Sequence, residues 1–273
     1  MISDAVLADL GRIAYWSAGA LLFLIILAET LWPQKFQADE KQRALHVGRN
    51  FGLWLTGMFF ANVLFGIVLL NLQNRLTDSY FGPFHWFETP LVFDLLVGIL
   101  LLDLAEYIFH RLSHSVRWMW LFHAVHHSDT QLDVTTAMRF HPGELIVNIC
   151  WKIAVCFLLG LPLWLVGARG AIMTLATLFQ HSNIAWPSRI DRMLRPIFIT
   201  PGLHRRHHSP DPAENNTNFG EIFSFWDRIF GTYREGGQSP DAGYGLPRLM
   251  ADRFQTLWGL IITPFSARKF KSL

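Results

Sequence analysis

The sequence predicts an all-α integral membrane protein with transmembrane helices and a histidine-rich helical cap. Of its 273 residues, 51% are hydrophobic and 14% are aromatic. The mean hydropathy is positive, at +0.26, which is typical of membrane proteins rather than of one soluble domain. Several apolar runs have the length of about 20 residues that a helix needs to cross a bilayer. Histidines follow these runs at helical spacing.

Three apolar runs in the first part of the chain have the length of a membrane span. They extend from Ile13 to Trp32, from Phe51 to Leu72 and from Pro90 to Phe109. The N-terminus has acidic residues and no basic stretch ahead of the first run. We therefore expect this run to be a membrane anchor and not a cleaved signal.

Basic residues in the connecting loops predict the orientation of these spans. The loop after the first span carries Lys35, Lys41, Arg43 and Arg49, whereas the next loop has only Arg75. Because cytoplasmic loops carry the excess of lysine and arginine, the first loop is predicted to be cytoplasmic. The third span then returns to the cytoplasm, and all the histidine motifs are expected on that side.

A fourth long apolar stretch, from Leu145 to Phe179, is predicted to form a helical hairpin. Glycine and proline interrupt it at Gly160-Leu-Pro162 and again at Gly167-Ala-Arg-Gly170. A hairpin brings both ends of the stretch back to the histidines and places Arg169 at the far interface. The alternative is one long helix kinked at Pro162, which separates those ends.

The last part of the chain is more polar. Arginines mixed with apolar residues after Trp186 fit either a helix at the level of the lipid headgroups or an ordinary cytoplasmic loop. Phe219 to Tyr233 is predicted to be a helix whose aromatic residues cap the site. Gly236 to Pro247 is predicted to be a linker, and Arg253 to Phe270 a short apolar segment with a basic tail.

Two H-x-x-H-H motifs and one H-x-x-x-H motif predict a metal centre. Histidines four residues apart lie on one helix face, whereas adjacent histidines diverge by about 100° around the helix, so each triplet can address two metal ions. A dinuclear site is therefore expected. The nine candidate ligands are His110, His114, His123, His126, His127, His181, His204, His207 and His208.

The predicted metal is iron, as two Fe ions. Imidazole nitrogens also suit zinc, which is the possible substitute but has no redox chemistry. Histidines that cluster by chance or respond to pH are the alternative interpretation, and the repetition of the motif argues against it.

Charge and cysteine content exclude other classes. The net charge is +2 and the basic residues are scattered, so no nucleic-acid partner is expected. Cys150 and Cys156 lie six residues apart in one apolar segment, where a helix holds them too far apart for a disulfide. They are interpreted as core or lipid-facing residues.

These motifs resemble those of the fatty acid hydroxylase and sterol desaturase superfamily of membrane non-haem di-iron enzymes. The resemblance covers roughly 91–233. Besides the histidines, it depends on further matching residues, namely Asp103, Glu106, Tyr107, Arg139-Phe-His-Pro-Gly-Glu144, Asn218-Phe-Gly220 and Phe225-Trp-Asp-Arg-Ile-Phe-Gly-Thr-Tyr233.

The resemblance implies an O2-dependent oxygenase that hydroxylates or desaturates a C–H bond of a membrane lipid. The lipid is expected to be a fatty acyl, sterol or alkylglycerol lipid, and electrons are expected from an external donor. Residues 1–90 then form N-terminal transmembrane helices, 91–235 the hydroxylase-like catalytic domain, and 236–273 a C-terminal linker with a short apolar tail.

Some relatives carry a second histidine where this chain has Thr177, which leaves one metal a protein ligand short. Water, Asn183 acting through water, or His141 is expected to fill that place. The candidates for residues that support the ligands are Asp103, Glu106, His141, Asn183 and Asp227, with Asp129 as a further carboxylate near a motif.

Two other functions use the same residues. One is a non-redox zinc-binding membrane or transport protein, and the other is a zinc hydrolase acting on lipid headgroups. A transporter is expected to carry ionisable residues in several spans, which the first two spans largely lack. A hydrolase is expected to have fewer ligands and a carboxylate base beside an open metal position.

Overall fold

The computed structural model describes residues 4–35, 39–78, 82–86, 90–161, 163–235 and 243–269. Within these ranges the regular secondary structure is helical, apart from two isolated β-bridges. The α-helices are α1 (Asp4–Leu31), α2 (Glu40–Asp78), α3 (Leu91–Ser115), α4 (Arg117–His127), α5 (Pro142–Leu159), α6 (Leu163–His181), α7 (Ser188–Leu194), α8 (Pro201–His207), α9 (Pro212–Asn215), α10 (Phe225–Ile229), α11 (Asp252–Gln255) and α12 (Leu257–Ser266). Short 3₁₀ turns cover Pro83–His85, Val134–Met138, Pro247–Leu249 and Ala267–Lys269.

Helices α5 and α6 form the predicted hairpin. α5 ends at Gly160, whose φ of 71° is a left-handed conformation that glycine adopts without strain. Glu144 at the start of α5 and His181 at the end of α6 both reach the histidine cluster. The second predicted break, Gly167 to Gly170, stays inside α6, and Pro162 lies outside the described residues.

The long helices pack around one another and carry α4 and α8 at one end. α1 packs on α6, α2 on α5, and α3 on α4, α5 and α6. Leu102 of α3, Cys156 of α5 and Leu165 of α6 form one buried apolar cluster. At the other side of α4, Leu246, Leu249 and other buried residues form a second cluster. The part of the predicted linker that is described, 243–247, is therefore packed against the body.

The surfaces of α1 and α3 are apolar and exposed. Phe23, Leu27 and Leu31 protrude from α1, and Val92 and Leu96 protrude from α3. Among the described helices, Pro142–Leu159 is long and apolar enough to cross a membrane by length and composition. The apolar part of α1, Trp16–Leu31, is shorter. The all-helical prediction is confirmed, whereas the number and orientation of the spans remain predictions.

Two predictions about local structure were wrong. Phe219 to Tyr233 is helical only over Phe225–Ile229, because Asp103 and Asp227 accept from the backbone N–H groups before that turn. Arg169 does not lie at a far interface but is buried, and its guanidinium contacts Asp103 at 2.9 Å. Both cysteines are free, with Cys150 exposed and Cys156 buried.

Candidate metal centre

The nine predicted histidines come together in two adjacent groups. His110, His114, His123, His127 and His207 form the first group, and His126, His181, His204 and His208 form the second. Within each group, one ring nitrogen from every histidine lies within 4.8 Å of the others. All nine are buried except His114, which is half-buried.

Each H-x-x-H-H triplet contributes to both groups, as the helical spacing predicts. On α4, His123 and His127 belong to the first group and His126 to the second. At the end of α8, His204 and His208 belong to the second group and His207 to the first. Side chains three and four residues apart on a helix project at different angles. Each triplet therefore directs two of its rings to one group and the third ring to the other.

Hydrogen bonds at Nδ1 set the tautomer of four of these rings. His110 Nδ1 donates to the carbonyl of Phe219, and His207 Nδ1 to the carbonyl of Thr217, both at 2.9 Å. His181 Nδ1 donates to the carbonyl of Thr177 at 2.9 Å. His123 Nδ1 contacts the Glu144 carboxylate at 2.7 Å. Because these oxygens only accept, Nδ1 carries the proton, and Nε2 of each neutral ring presents its lone pair.

The Nε2 atoms of these rings converge on the Nε2 atoms of neighbouring histidines. His181 Nε2 lies 3.2 Å from His126 Nε2 and 3.0 Å from His204 Nε2. Among the described residues, Nε2 of His110 and Nε2 of His207 are buried without a hydrogen-bond partner. Converging unpartnered lone pairs are costly unless a cation accepts them. The donor set therefore fits metal ions of the imidazole-binding type.

Burial favours the neutral form of eight of these imidazoles by lowering their pKa. It lowers the pKa of His181 to about 4 and that of His207 to about 3. Burial, followed by the neighbouring histidines, also lowers the pKa of His110, His126 and His208. A neutral ring is the form that binds a metal ion.

Glu144 is a supporting residue that the sequence did not single out for this role. It stands in the first turn of α5, which begins at Pro142, and its carboxylate reaches His123 on α4. Glu221 is a second such carboxylate, with Oε1 3.4 Å from His110 Nδ1. For Glu144, the signal in the sequence was its place at the end of the motif Arg139-Phe-His-Pro-Gly-Glu144.

Asp103 and Glu106, predicted to support the histidines, bind groups on other elements. The Asp103 carboxylate accepts from Arg169, from the backbone N–H groups of Ile222 and Phe223 and from Trp226 Nε1. The Glu106 carboxylate accepts from Asn148 and lies 3.4 Å from Lys152 Nζ. These acids instead join α3 to α5, α6 and the segment after α9.

The side chains of His141 and Asn183 bind backbone groups outside the two histidine groups. His141 caps α5, with Nδ1 accepting from Gly143 N and Nε2 donating to the carbonyl of Ile261. The Asn183 amide binds the backbone N–H and carbonyl of Lys35. Neither side chain completes the second group, which has one histidine fewer than the first.

Asp227 and Asp129 support the histidines indirectly, by binding neighbouring segments of the chain. Asp227 accepts from the N–H groups of Phe219 and Gly220 and from the Thr232 hydroxyl, and so holds the segment whose carbonyl orients His110. Asp129 follows the α4 triplet and binds His46, Asn50 and Thr136, which fixes the end of α4.

The two adjoining groups of imidazoles define a helical protein of the class that could bind metal ions at a preformed site. The sequence profile of the fatty acid hydroxylase family matches residues 95–232. The chain belongs to the fatty acid hydroxylase family.

Several characterised relatives share this region. The chain is 33% identical to the ornithine lipid hydroxylase OlsE of Rhizobium tropici over 198 residues, which are 71% of this chain and 56% of the relative. It is 30% identical to the alkylglycerol monooxygenase of Xenopus tropicalis over 171 residues, 61% of this chain and 34% of the relative. It is 26% identical to human cholesterol 25-hydroxylase over 165 residues, 55% and 59% of the two chains.

The chain thus spans between about a third and three fifths of the length of these relatives. No solved structure matches the chain significantly.

Proposed function

We propose that this protein is an O2-dependent membrane lipid hydroxylase whose nine clustered histidines hold two iron ions. The observation that carries the proposal is the convergence of unpartnered, neutral imidazole nitrogens in two adjoining groups. Lipid desaturation uses the same ligands and is the variant reaction within this proposal.

Five histidines would hold the first iron and four the second, in the groups given above. When bound, the pair of irons supplies the redox chemistry that reduces O2 and removes hydrogen from an unactivated C–H bond. The protein contributes orientation of the ligands, through the carbonyls of Thr177, Thr217 and Phe219 and the carboxylate of Glu144.

Aromatic rings around the histidines exclude water from the site. Phe140 stacks on His126 with ring centroids 4.4 Å apart, and Trp120 lies 4.8 Å from the His114 ring. Phe219 is buried and packs against His110, His114 and His207. A dry, aromatic enclosure suits an oxidant that must react with a lipid and not with solvent.

The relatives support a lipid substrate. Their names state an ornithine lipid, an alkylglycerol and cholesterol as what they act on, and each is a hydroxylase or a monooxygenase. We extend the shared part of these names to this chain, namely oxygen insertion into a lipid, with electrons supplied by an external donor.

The test combines metal analysis with oxygen dependence. Iron-supplemented full-length protein should hold one iron for each of the two histidine groups, and product formation from membrane lipids should stop without O2. His123→Ala and His207→Ala should lose metal and activity together. His141→Ala is the matched control, because both of its ring nitrogens bind backbone groups, and it should retain both irons.

Contrary outcomes separate the alternatives. Turnover that continues without O2 in zinc-loaded protein would identify a hydrolase. Metal binding without any lipid product would identify a metal-binding membrane protein.

We also propose that the chain crosses the membrane several times, with the histidine groups facing the cytoplasm. Support comes from the four basic residues between the first two apolar runs and from the exposed apolar faces of α1 and α3. Cysteines introduced at Thr77 and Gly243, in a background lacking Cys150 and Cys156, test the topology. The Gly243 label should react from the cytoplasmic side and the Thr77 label from the opposite side; reaction of both from one side would contradict the proposed spans.

A further inference from the structure

A polar cleft opens beside the histidine cluster, where α1 ends. The walls come from the end of α1, the link to α2, the first turns of α2, the turn at Val134–Met138 and the segment after α6. The lining residues are Glu29, Thr30, Pro33, Lys35, Arg43, Asp133 and Asn183.

The cleft is lined by acidic and basic side chains. Glu29 and Asp133 are carboxylates exposed by only 3% and 2%. Lys35 and Arg43 are partly buried cations, with the Lys35 ammonium 5.0 Å from the Tyr244 ring and Arg43 Nη1 donating to the Thr30 hydroxyl at 3.1 Å. A ligand that complements this lining carries a positive and a negative group side by side.

Buried carboxylates near the end of an apolar helix are costly to desolvate and favour a bound cationic group. Glu29 is held in place, since its Oε1 accepts from the backbone N–H groups of Val134 at 2.9 Å and Asn183 at 2.6 Å. Asp133 is held by Thr135 and by His46, whose Nδ1 lies 3.3 Å from Oδ2. The negative wall is therefore rigid, as a recognition site requires.

The cleft is tied directly to the second histidine group. Asn183 follows His181 by two residues, so their Cα atoms lie at most about 7 Å apart. Asn183 also binds Lys35 through its side chain, and the carbonyl of Asn183 accepts from Gln34 N at 2.7 Å. The cleft wall and the second histidine group are thus joined by the short segment from His181 to Asn183.

An apolar track leads to the cleft along α1. Phe23, Leu27 and Leu31 are exposed and recur every four residues, which places them on one side of the helix over about 12 Å. The track ends next to Thr30 and Pro33 in the cleft wall. An acyl chain lying on this face would have its polar end at the cleft.

We propose that the cleft binds the headgroup of a zwitterionic lipid, in which a primary ammonium stands next to an anionic group. Glu29 and Asp133 receive the ammonium, and Lys35 and Arg43 receive the anion. Either an aminoacyl lipid with a free amine and an acidic group or phosphatidylethanolamine has this chemistry. The inference rests on the proposed function, of which it specifies the substrate class.

Native mass spectrometry of zinc-loaded, full-length protein in detergent tests the inference without turnover. The probe lipids are an N-acyl amino acid lipid with a free amine, phosphatidylethanolamine, phosphatidic acid and diacylglycerol. At least one of the two zwitterionic lipids should bind about 10-fold more tightly than phosphatidic acid and diacylglycerol, because charge-assisted hydrogen bonds form at both walls. The zwitterionic lipid that binds more tightly identifies the source of the headgroup.

Variants of the cleft give the second arm of the test. Arg43→Gln should weaken binding of the preferred lipid about 10-fold. Lys41→Gln removes the same charge from the same end of α2 but is exposed and outside the cleft, so it should bind like wild type. Glu29→Gln should weaken the zwitterion but not phosphatidic acid; if that variant unfolds because Glu29 joins α1 to Asn183, Arg43→Gln alone decides the outcome.

Equal binding of diacylglycerol or phosphatidic acid and the zwitterionic lipids would overturn the inference, as would Arg43→Gln binding like Lys41→Gln. The proposed function fails separately, if iron-loaded protein forms no oxidised lipid. A preference for zwitterions in such an inactive protein would leave the headgroup site standing.

Discussion

Replacement of Glu144 tests how the protein orients its metal ligands. Its carboxylate lies 2.7 Å from His123 Nδ1, and both side chains are buried. Loss of a residue that orients a ligand histidine typically weakens metal affinity about 10- to 100-fold, which corresponds to about 1.4 to 2.7 kcal/mol. Glu144→Gln keeps an acceptor but removes the charge, so we expect the lower end. Glu144→Ala leaves Nδ1–H unpaired, so we expect the upper end.

The assay is zinc and iron affinity by competition with a chelator, at a pH where the histidines are neutral. Glu214→Gln is the matched control, because Glu214 pairs with Arg206 at 3.0 Å, near the surface. It should retain wild-type affinity. If Glu144→Ala binds metal within about twofold of wild type, the reasoning that an acceptor at Nδ1 strengthens the ligand is wrong.

Three further predictions concern stability and stoichiometry. His141→Ala should keep the full metal content while the free energy of unfolding falls by about 1 to 3 kcal/mol, since a cap and a buried bond are lost; loss of one metal would make His141 a ligand. Burial lowers the pKa of His181 to about 4 and that of His207 to about 3, so below about pH 6.5 the unfolded chain binds more protons than the folded one. The free energy of unfolding of the metal-free protein should therefore fall by about 1.4 kcal/mol per pH unit for each of these histidines as the pH falls from 6 to 5. A melting temperature that does not change between these pH values would contradict this. Asp103→Asn should lower the free energy of unfolding by about 3 kcal/mol, because it leaves the buried Arg169 guanidinium without the negative charge that lies 2.9 Å away. An unchanged melting temperature would contradict this.

Local spacing made the histidines predictable. The angle between successive residues of a helix is fixed, so H-x-x-H-H implies rings directed to two places before any tertiary structure is known. The division into groups with five and four members follows from how α3, α4, α6 and α8 meet, which the spacing does not contain.

The acceptors at Nδ1 could not be predicted in the same way. Three of them are backbone carbonyls, of Thr177, Thr217 and Phe219, and every residue has a carbonyl whatever its side chain. The predicted position of Arg169 was wrong for a related reason. Counting residues along a helix predicts how far along the helix a side chain lies, but not that Asp103 binds it there.

The helix predicted from Phe219 onward failed because tertiary bonds outweighed the sequence pattern. Asp103 takes the backbone N–H groups of Ile222 and Phe223, and Asp227 takes that of Gly220. Those donors are then not available to helical carbonyls, and only Phe225–Ile229 forms a helical turn.

Backbone carbonyls as ring acceptors have a consequence for how such a protein can change. A substitution at Thr177, Thr217 or Phe219 alters a side chain but leaves the acceptor oxygen where it was, provided the backbone keeps its path. These three side chains can therefore change while the acceptors that set the tautomers of His181, His207 and His110 stay in place. The protonated nitrogen of each ring is thus fixed by the path of the backbone, which selection or engineering preserves more readily than the identity of any one side chain.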